Sequence, residues 1–220
     1  MNAKKLFKPL AMALTIASLS GVALAAPVVY NEVRTGDALG SAEFAGDAGS
    51  LVIRGNLLDG RGGFAPNVSD LYRITVSSAG NYVFNTFGST VADPTLFLFD
   101  NAGNGLYFNN DASLMPVDTQ SSFSAVLGLG DYYLGFAFYA VDPDDGAGSM
   151  FDTLGSNEGG PVAGALSLTQ WVNYSAFTGI WDNTAYRINV RLPEPGALAL
   201  SLVALGLLAG FSRRRQGSPA

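Results

Sequence analysis

Asp and Asn side chains, whose oxygen atoms can coordinate a metal ion, cluster around one predicted hairpin. Asp93 and Asp100 bracket a predicted strand, and Asn109, Asn110 and Asp111 end the next one. Calcium takes six to eight oxygen ligands from carboxylates, amides and carbonyls. A polar loop could bring three further carboxylates to the same place: Asp142, Asp144 and Asp145. The sequence therefore offers a candidate calcium site, and no other cofactor is expected.

A structural explanation of the same residues competes with calcium binding. The acidic spacing is not that of an EF-hand. Asp and Asn are also common in tight turns, where their side chains accept hydrogen bonds from the nearby backbone. Both interpretations stay open at the level of sequence.

Missing residue types exclude most catalytic chemistry. The chain has no His and no Cys, and its three Lys, which are Lys4, Lys5 and Lys8, lie near the start. Sites of the Ser-His-Asp and Cys-His kinds, zinc held by histidine and Schiff-base lysines therefore each lack a necessary group. A glycoside hydrolase with paired carboxylates, such as Asp111 and Asp131, is a remote alternative, because nothing marks a pair across a cleft. We expect no enzyme activity.

Aromatic side chains suggest a second kind of binding. Exposed rings on one sheet face can stack on sugars, and Trp171 and Trp181 are the candidates for such contacts. A domain without disulfides also needs bulky side chains to fill its core. Sugar stacking and core packing therefore both remain open for these tryptophans.

Alternating apolar residues dominate the middle of the chain, which indicates an all-β protein. Turn-forming Gly, Asn, Asp and Pro separate the predicted strands, which cover residues 28–33, 51–57, 70–76, 82–87, 95–99, 106–108, 121–127, 132–139 and 184–192. Their number and spacing favour an antiparallel β-sandwich of jelly-roll type.

The alternation of apolar and polar residues also predicts how some strands are arranged. The strands at 70–76 and 82–87 look like a hairpin, and the strand at 95–99 is apolar on both faces, which is typical of a central strand. The last strand places Arg187 and Arg191 outward. A long polar loop from residue 141 to 164 is unusual without a function or disorder.

The beginning of the chain has the pattern of a secretory signal peptide. Its basic start precedes a mostly apolar stretch, and the small residues Ala23 and Ala25 mark a cleavage site after Ala25. We therefore expect residues 1–25 to be removed by signal peptidase after passage through the secretion machinery. Residues 26–192 then form the exported β-sandwich domain.

The exported domain is acidic. It has 17 acidic residues against six arginines, which gives a net charge of −11. Such a charge repels nucleic acids and anionic headgroups, so we expect no nucleic-acid partner.

The last 28 residues have the features of a membrane-targeting segment. Pro193, Glu194 and Pro195 precede a charge-free apolar run at residues 196–211, which we expect to form a short transmembrane helix. An arginine cluster follows, formed by Arg213, Arg214 and Arg215, and residues 216–220 complete the tail. The arginines are expected to stay cytoplasmic, which places the β-domain across the membrane.

This order of Pro-Glu-Pro, apolar helix and arginine cluster, over residues 193–215, resembles the PEP-CTERM sorting signal of Gram-negative envelope proteins. The resemblance implies recognition by a membrane-embedded transpeptidase of the exosortase type, which removes the helix. It also implies a precursor anchored in the inner membrane and a mature form in the cell envelope or outside the cell. A plain C-terminal anchor is the alternative.

The segment from Asp70 to Asp145 resembles a second family. Its motifs are Asp70 to Val76, Ala79 to Tyr82, Asp93 to Asp100 with Gly103 and Asn109 to Asp111, and Leu129 to Leu134. Together they resemble the bacterial pre-peptidase C-terminal (PPC) domain. That resemblance implies a small β-sandwich accessory module, sometimes calcium-binding, although this chain shows no protease domain beside it.

Three functions are consistent with these observations. The first is a non-catalytic surface or extracellular-matrix protein that associates with envelope material or exopolysaccharide. The second is a calcium- or carbohydrate-binding module. The third is the glycoside hydrolase.

Overall fold

The computed structural model describes residues 26–33, 36–57, 68–114, 117–173 and 184–192. Every regular element in this part of the chain is a β-strand. It contains no helix that is long and apolar enough to cross a membrane. The predicted signal peptide and C-terminal helix both lie outside the described residues.

Fifteen strands occur in the described ranges. They are β1 (Val28–Asn31), β2 (Glu43–Asp47), β3 (Ser50–Asn56), β4 (Ser69–Val76), β5 (Gly80–Asn85), β6 (Pro94–Phe99), β7 (Gly105–Asn109), β8 (Ser113–Leu114), β9 (Val117–Asp118), β10 (Ser122–Leu127), β11 (Gly130–Phe138), β12 (Val141–Asp144), β13 (Glu158–Gly159), β14 (Gln170–Asn173) and β15 (Ala185–Arg191). Each strand that the alternating pattern predicts is present.

Two larger sheets make up the sandwich. The five-stranded sheet has the order β1-β3-β15-β5-β10, and the six-stranded sheet has the order β13-β7-β6-β11-β4-β2. Two further pairs, β12 with β14 and β8 with β9, form small separate sheets. The all-β class expected from the alternation is therefore confirmed.

Two edge pairings correct the expectation of a purely antiparallel sandwich. Strand β1 runs parallel to β3, and β2 runs parallel to β4. In each case the chain visits the opposite sheet before it returns, since β2 lies between β1 and β3 in sequence, and β3 lies between β2 and β4. Such a crossover can bring a strand back parallel to its neighbour, whereas a tight hairpin cannot.

The predicted hairpin of β4 and β5 is wrong. Strand β4 pairs with β11 and β2, whereas β5 pairs with β10 and β15 in the other sheet. The turn between them carries the chain from one sheet to the other. Alternation shows that a strand has one buried face, but it does not show which strand lies beside it.

Aromatic rings from both sheets form the core between them. The ring of Phe136 on β11 stacks on Tyr186 of β15, with 4.0 Å between the centroids. Tyr107 on β7 contacts Phe123 on β10 at 5.0 Å. Because the chain has no cysteine, packing of this kind rather than disulfide bonds must hold the two sheets together.

A third layer covers part of the outer face of the six-stranded sheet. Phe97, on the outer face of β6, lies 5.6 Å from the Phe151 ring and 5.5 Å from the Trp171 ring. All six residues of β6 are therefore buried, which confirms the prediction of a central strand. The predicted polar loop contains β12 and β13, and we call residues 140–173 the covering segment.

A buried chain of polar groups crosses the core. Tyr72 donates to the Tyr186 hydroxyl, which in turn donates to Asp70 Oδ2 at 2.7 Å. Burial, followed by the charge of Asp70, raises the pKa of both tyrosines. Gly55 makes room for this chain, since a Cβ there would overlap the Tyr186 hydroxyl.

Candidate functional site

The structure places the predicted calcium ligands at the two ends of β6 and in the covering segment. Asp93 lies before β6 and Asp100 directly after it, at opposite ends of the strand. At about 3.3 Å per residue, the two are about 20 Å apart along the strand direction. Asn109 and Asp111 lie toward the Asp93 end, since Asn109 pairs with Leu96 near the start of β6. The other three acidic residues belong to the covering segment.

The asparagines at the Asp93 end hold neighbouring segments together. Asn109 Oδ1 accepts a hydrogen bond from the Ser122 amide at 2.7 Å, and its Nδ2 donates to the Asp111 carbonyl at 3.1 Å. Asn110 Oδ1 accepts from the Thr95 hydroxyl at 2.9 Å. Burial, and then the negative charge of Asp111, raises the pKa of Asp93 to about 6.

Asp100 organises the turn between β6 and β7. Its Oδ1 accepts hydrogen bonds from the amides of Ala102 and Asn104, at 2.8 and 2.9 Å, and its Oδ2 accepts one from Asn104 Nδ2 at 2.8 Å. Burial acts to raise the pKa of Asp100, but the hydrogen bonds together outweigh it and lower the pKa. This is the turn-forming role that the sequence left open.

Asp144 and Asp145 have local roles of the same kind. Asp144 Oδ1 accepts from the Gly146 amide at 2.6 Å and from Gln170 Nε2 at 3.0 Å. Asp145 accepts from the Leu166 and Ala147 amides, both at 2.8 Å, and these bonds lower its pKa. Both carboxylates thereby fold the covering segment.

Asp142 is the most buried carboxylate among the predicted ligands in the covering segment. Its side chain is only 2% exposed, and Oδ2 accepts from the Thr153 hydroxyl at 2.7 Å. Burial raises its pKa to about 6, against the opposing effect of the Thr153 and Ser149 hydroxyls. Asp142 Oδ1 is buried and has no hydrogen-bond partner within the described part of the chain.

These positions do not assemble into one ion site. Among the described residues, no three acidic side chains lie close enough together to hold a metal ion. Calcium binding stays a prediction from the sequence, and the described carboxylates act in turns and loop contacts.

The carboxylates considered for glycoside hydrolysis lie far apart. Asp131 lies near the start of β11, toward the Phe99 end of β6, where it accepts from the Thr75 hydroxyl at 2.6 Å. Asp111 lies toward the other end of that strand. Their separation of about 20 Å along the strands exceeds the roughly 5 to 9.5 Å that glycosidase carboxylates require. The geometry does not bring them together.

Trp171 packs against the six-stranded sheet. Its ring lies 5.5 Å from Phe97 and 6.4 Å from Phe99, and its Nε1 donates to the Asp37 carbonyl at 2.8 Å. A Cβ added at Gly135 would lie 2.7 Å from the indole ring, so the two are in close contact. These contacts give Trp171 a structural role, while its stacking on sugars stays a prediction.

Several predicted functional residues fall outside the described ranges. They are Ala23 and Ala25 of the signal cleavage site, Trp181, Pro193, Glu194 and Pro195 of the processing motif, and Arg213, Arg214 and Arg215 of the basic cluster.

The outer face of the five-stranded sheet carries a group of arginines. Arg54 on β3 lies directly opposite Arg187 on β15, and Arg191 lies farther along β15 on the same face. Arg54 and Arg191 are exposed, and Arg187 is half-buried. We call the outward positions of β1, β3, β5, β10 and β15 the arginine face.

Polar uncharged residues and valines share the face with these arginines. Asn85 on β5 lies opposite Asn189, and Ser122 and Ser124 on β10 continue the same face. The described outward positions of the five strands include no Asp and no Glu. The arginine face is therefore basic, with Asn, Ser and Val side chains beside the arginines, on a domain that is acidic as a whole.

Hydrogen bonds orient the central arginine. Arg187 Nε donates to Asn189 Oδ1 at 2.7 Å, and Asn189 Nδ2 donates to Asn85 Oδ1 at 2.8 Å. Asn189 is 5% exposed, so this support is buried beneath the surface. The arrangement restricts the guanidinium before any ligand arrives.

Arg73 lies on the six-stranded sheet and, unlike the arginines of the arginine face, has a carboxylate partner. Its guanidinium lies 3.7 Å from Asp131 and 5.1 Å from the centre of the Phe44 ring. In the described part of the chain it is the one arginine with a carboxylate within ion-pair distance. Arg54, Arg187 and Arg191 have no such partner there.

Sequence reasoning missed the arginine face as a site. The alternation in β15 did place Arg187 and Arg191 outward, and this is confirmed. Arg54 joins them only through the pairing of β3 with β15, which lie more than a hundred residues apart in sequence. The available signal was the occurrence of arginine at outward positions of a strongly acidic domain.

Comparisons with known proteins gave similarities to solved structures only. No protein family matches the chain, and no curated protein matches it. A solved pre-peptidase C-terminal domain of a collagenase from Bacillus anthracis aligns with 73% of this chain and 100% of its own length, at 15% identity and a TM-score of 0.39. The β-sandwich architecture itself follows from the two packed sheets described above.

Proposed function

We propose that this chain is an exported, non-catalytic protein of the cell envelope or extracellular matrix that associates with exopolysaccharide. Its precursor is anchored in the inner membrane through residues 196–211 and is processed at Pro193, Glu194 and Pro195 by an exosortase-type transpeptidase. Signal peptidase acts at the other end, after Ala25.

The observation that carries this proposal is the order of features in the last 28 residues. The processing motif begins two residues after Arg191, where the last strand of the sandwich ends. Two prolines hold such a segment extended and outside a helix, which leaves its backbone available to a protease. Removal of the apolar helix would free the β-domain from the membrane.

A non-catalytic role fits the chemistry of the described domain. The carboxylates there fold turns or are widely separated, and the chain has no His or Cys for nucleophilic or zinc chemistry. A carbohydrate-binding module is the second candidate, and the arginine face favours it because exposed arginine, asparagine and serine side chains can form hydrogen bonds with sugar groups.

Mass spectrometry of the mature C-terminus, together with cell fractionation, tests the proposal. The full chain is expressed in a Gram-negative host with and without an exosortase-type transpeptidase. We expect the processed form to end near residue 193 and to appear in the envelope or medium only when the enzyme is present.

Two variants sharpen this test. Replacement of the motif prolines, P193A with P195A, should leave the full-length membrane-anchored form, whereas Q216A, beyond the arginine cluster, should be processed normally. Recovery of the full-length chain with its arginine-rich end from the cytosol would contradict the proposal.

A further inference from the structure

We propose that the arginine face binds the carboxylate groups of an acidic exopolysaccharide, through Arg54, Arg187 and Arg191. This inference rests on the proposed function and names the class of polymer and the surface that recognises it.

The distribution of charge is the first argument. Three of the six arginines of the exported domain lie on this one face, while its 17 acidic residues avoid the described outward positions of the same strands. A random arrangement would intersperse the two signs. Instead, the face has a positive potential on a negative domain, which attracts an anionic group to this one surface.

Repulsion between the arginines is the second argument. Arg54 and Arg187 are direct cross-strand partners, so their Cβ atoms are about 5 Å apart. Like charges in this position destabilise a sheet. No carboxylate of the described residues lies within ion-pair distance of either guanidinium, so the repulsion has no local compensation there. A bound carboxylate would reduce this repulsion between the two guanidinium groups.

The chemistry of the guanidinium group selects the ligand. Its planar, forked donors match the two oxygens of a carboxylate better than a lysine ammonium does. Arg187 is already held through Nε by Asn189 at 2.7 Å, which lowers the ordering cost of binding through its terminal amino groups. Neighbouring Asn and Ser side chains can exchange hydrogen bonds with sugar hydroxyls.

The layout of the face suits an extended polymer. Arg187 and Arg191 are four residues apart on one strand, which corresponds to about 13 Å. A chain of sugars with carboxylates along its length could contact both arginines at once. Once one carboxylate of the polymer is bound, the next is held close to the second arginine, so several weak contacts together give a higher affinity.

The acidity of the whole domain argues against denser polyanions. A nucleic acid carries one charge per roughly 1.7 Å of its axis, and a membrane rich in anionic lipids presents a negative surface to all nearby side chains. Both would bring negative charge close to the acidic parts of the domain. A polysaccharide whose carboxylates are separated by sugar rings meets less repulsion.

Retention on an immobilised polyuronate tests this inference. The full chain, purified in a neutral detergent, is applied to polygalacturonate and, in parallel, to uncharged dextran. We expect binding to polygalacturonate that weakens as salt is raised, and we expect roughly tenfold weaker binding for the combined variant R54Q/R187Q/R191Q.

The control variant is R73Q, which removes an exposed arginine that is already paired with Asp131 on the other sheet. It should bind as the parent chain does, and unchanged melting temperatures should show that all variants fold. A double variant, R54Q/R191Q, leaves the Arg187 hydrogen bond intact and should still lose several-fold in affinity.

Several outcomes would overturn the inference. They are equal binding to dextran and polygalacturonate, equal losses for R73Q and the triple variant, and a preference for vesicles of anionic lipid or for DNA over the polyuronate. Normal processing and matrix localisation alongside any of these results would leave the proposed function standing. Failure of processing with intact polyuronate binding would reject the sorting proposal alone.

Discussion

Tyr186 shows how one residue can join groups that lie far apart in the chain. Its hydroxyl accepts from Tyr72 and donates to Asp70, more than a hundred residues away. All three side chains are at least 97% buried. A donor or acceptor left without a partner in such a place costs about 1 to 3 kcal/mol. The hydroxyl of Tyr186 therefore contributes to stability through two hydrogen bonds.

We expect Y186F to lower the free energy of unfolding by about 3 kcal/mol, because it leaves the Tyr72 hydroxyl without an acceptor and Asp70 Oδ2 without this donor. Denaturant unfolding of the full chain measures the effect. The matched control is Y82F, since the Tyr82 hydroxyl donates only to the nearby Ser78 carbonyl at 2.8 Å. If Y186F and Y82F lowered the free energy of unfolding equally, the buried hydrogen bonds of Tyr186 would have no special role in stability.

The covering segment is the element that distinguishes the two outer faces of the sandwich. It places Phe151 and Trp171 over β6, so this central strand is buried on both sides. Gly135 on β11 allows the indole to approach, because a Cβ there would lie 2.7 Å from the ring. The five-stranded sheet keeps exposed arginines on its outer face. The two outer faces also differ in charge pairing, since the exposed Arg73 of the six-stranded sheet lies beside Asp131, whereas the arginine face has no such pair among the described residues.

We expect G135A to lower stability by about 1 to 3 kcal/mol, because the methyl group would push Trp171 away from the sheet. Tryptophan fluorescence should shift to longer wavelength as the indole becomes more exposed. G128A is the control, since the nearest atom to its new Cβ would be the Tyr132 hydroxyl at 3.9 Å. An unchanged emission spectrum in G135A would argue against close packing of the segment.

The sequence predicted elements better than it predicted their neighbours. Alternation located β6 and showed that it is apolar on both faces, because Leu96 and Leu98 alternate with Phe97 and Phe99. It could not show that Phe151 and Trp171 cover that strand, since these residues lie outside any regular pattern. Strand β2 was missed for the related reason that only Ala45 in it is buried.

The candidate site depended even more on pairing at long range. Local sequence explained Asp100 as a turn residue as readily as a calcium ligand, and the hydrogen bonds to the Ala102 and Asn104 amides show the turn role. The register of β3 against β15 brings Arg54 to Arg187. No local pattern contains that information, because a shift of one residue would turn Arg54 to the other face.

At the scale of the whole molecule, buried carboxylates set the response to pH. Asp142 has a pKa of about 6, raised from its ordinary 3.8 by burial. The folded state therefore holds a proton that the unfolded chain has released between about pH 4 and 6. The stability from this group is present below pH 4 and is lost as the pH rises through 6. Asp93, with a pKa of about 6, acts in the same direction.

We expect D142N to raise stability by about 2 kcal/mol at pH 7.5 and to change it little at pH 4, because the amide stays neutral where the carboxylate ionises. Thermal unfolding of the full chain at both pH values tests this. D100N should have the opposite sign at pH 7.5, since Asp100 accepts three hydrogen bonds and its pKa is lowered. If D142N lowered stability at pH 7.5, the claim that the buried Asp142 charge destabilises the folded state would be wrong.

The arginine face is the surface through which we propose that the exported domain acts, and nuclear magnetic resonance of the arginine side chains tests it most directly. The Nε–H signals of the isotope-labelled full chain are followed while polygalacturonate is added. We predict that the signals of Arg54, Arg187 and Arg191 shift together and saturate, while the signal of Arg73 stays in place. Unchanged signals from all three arginines, or an equal shift at Arg73, would contradict the account.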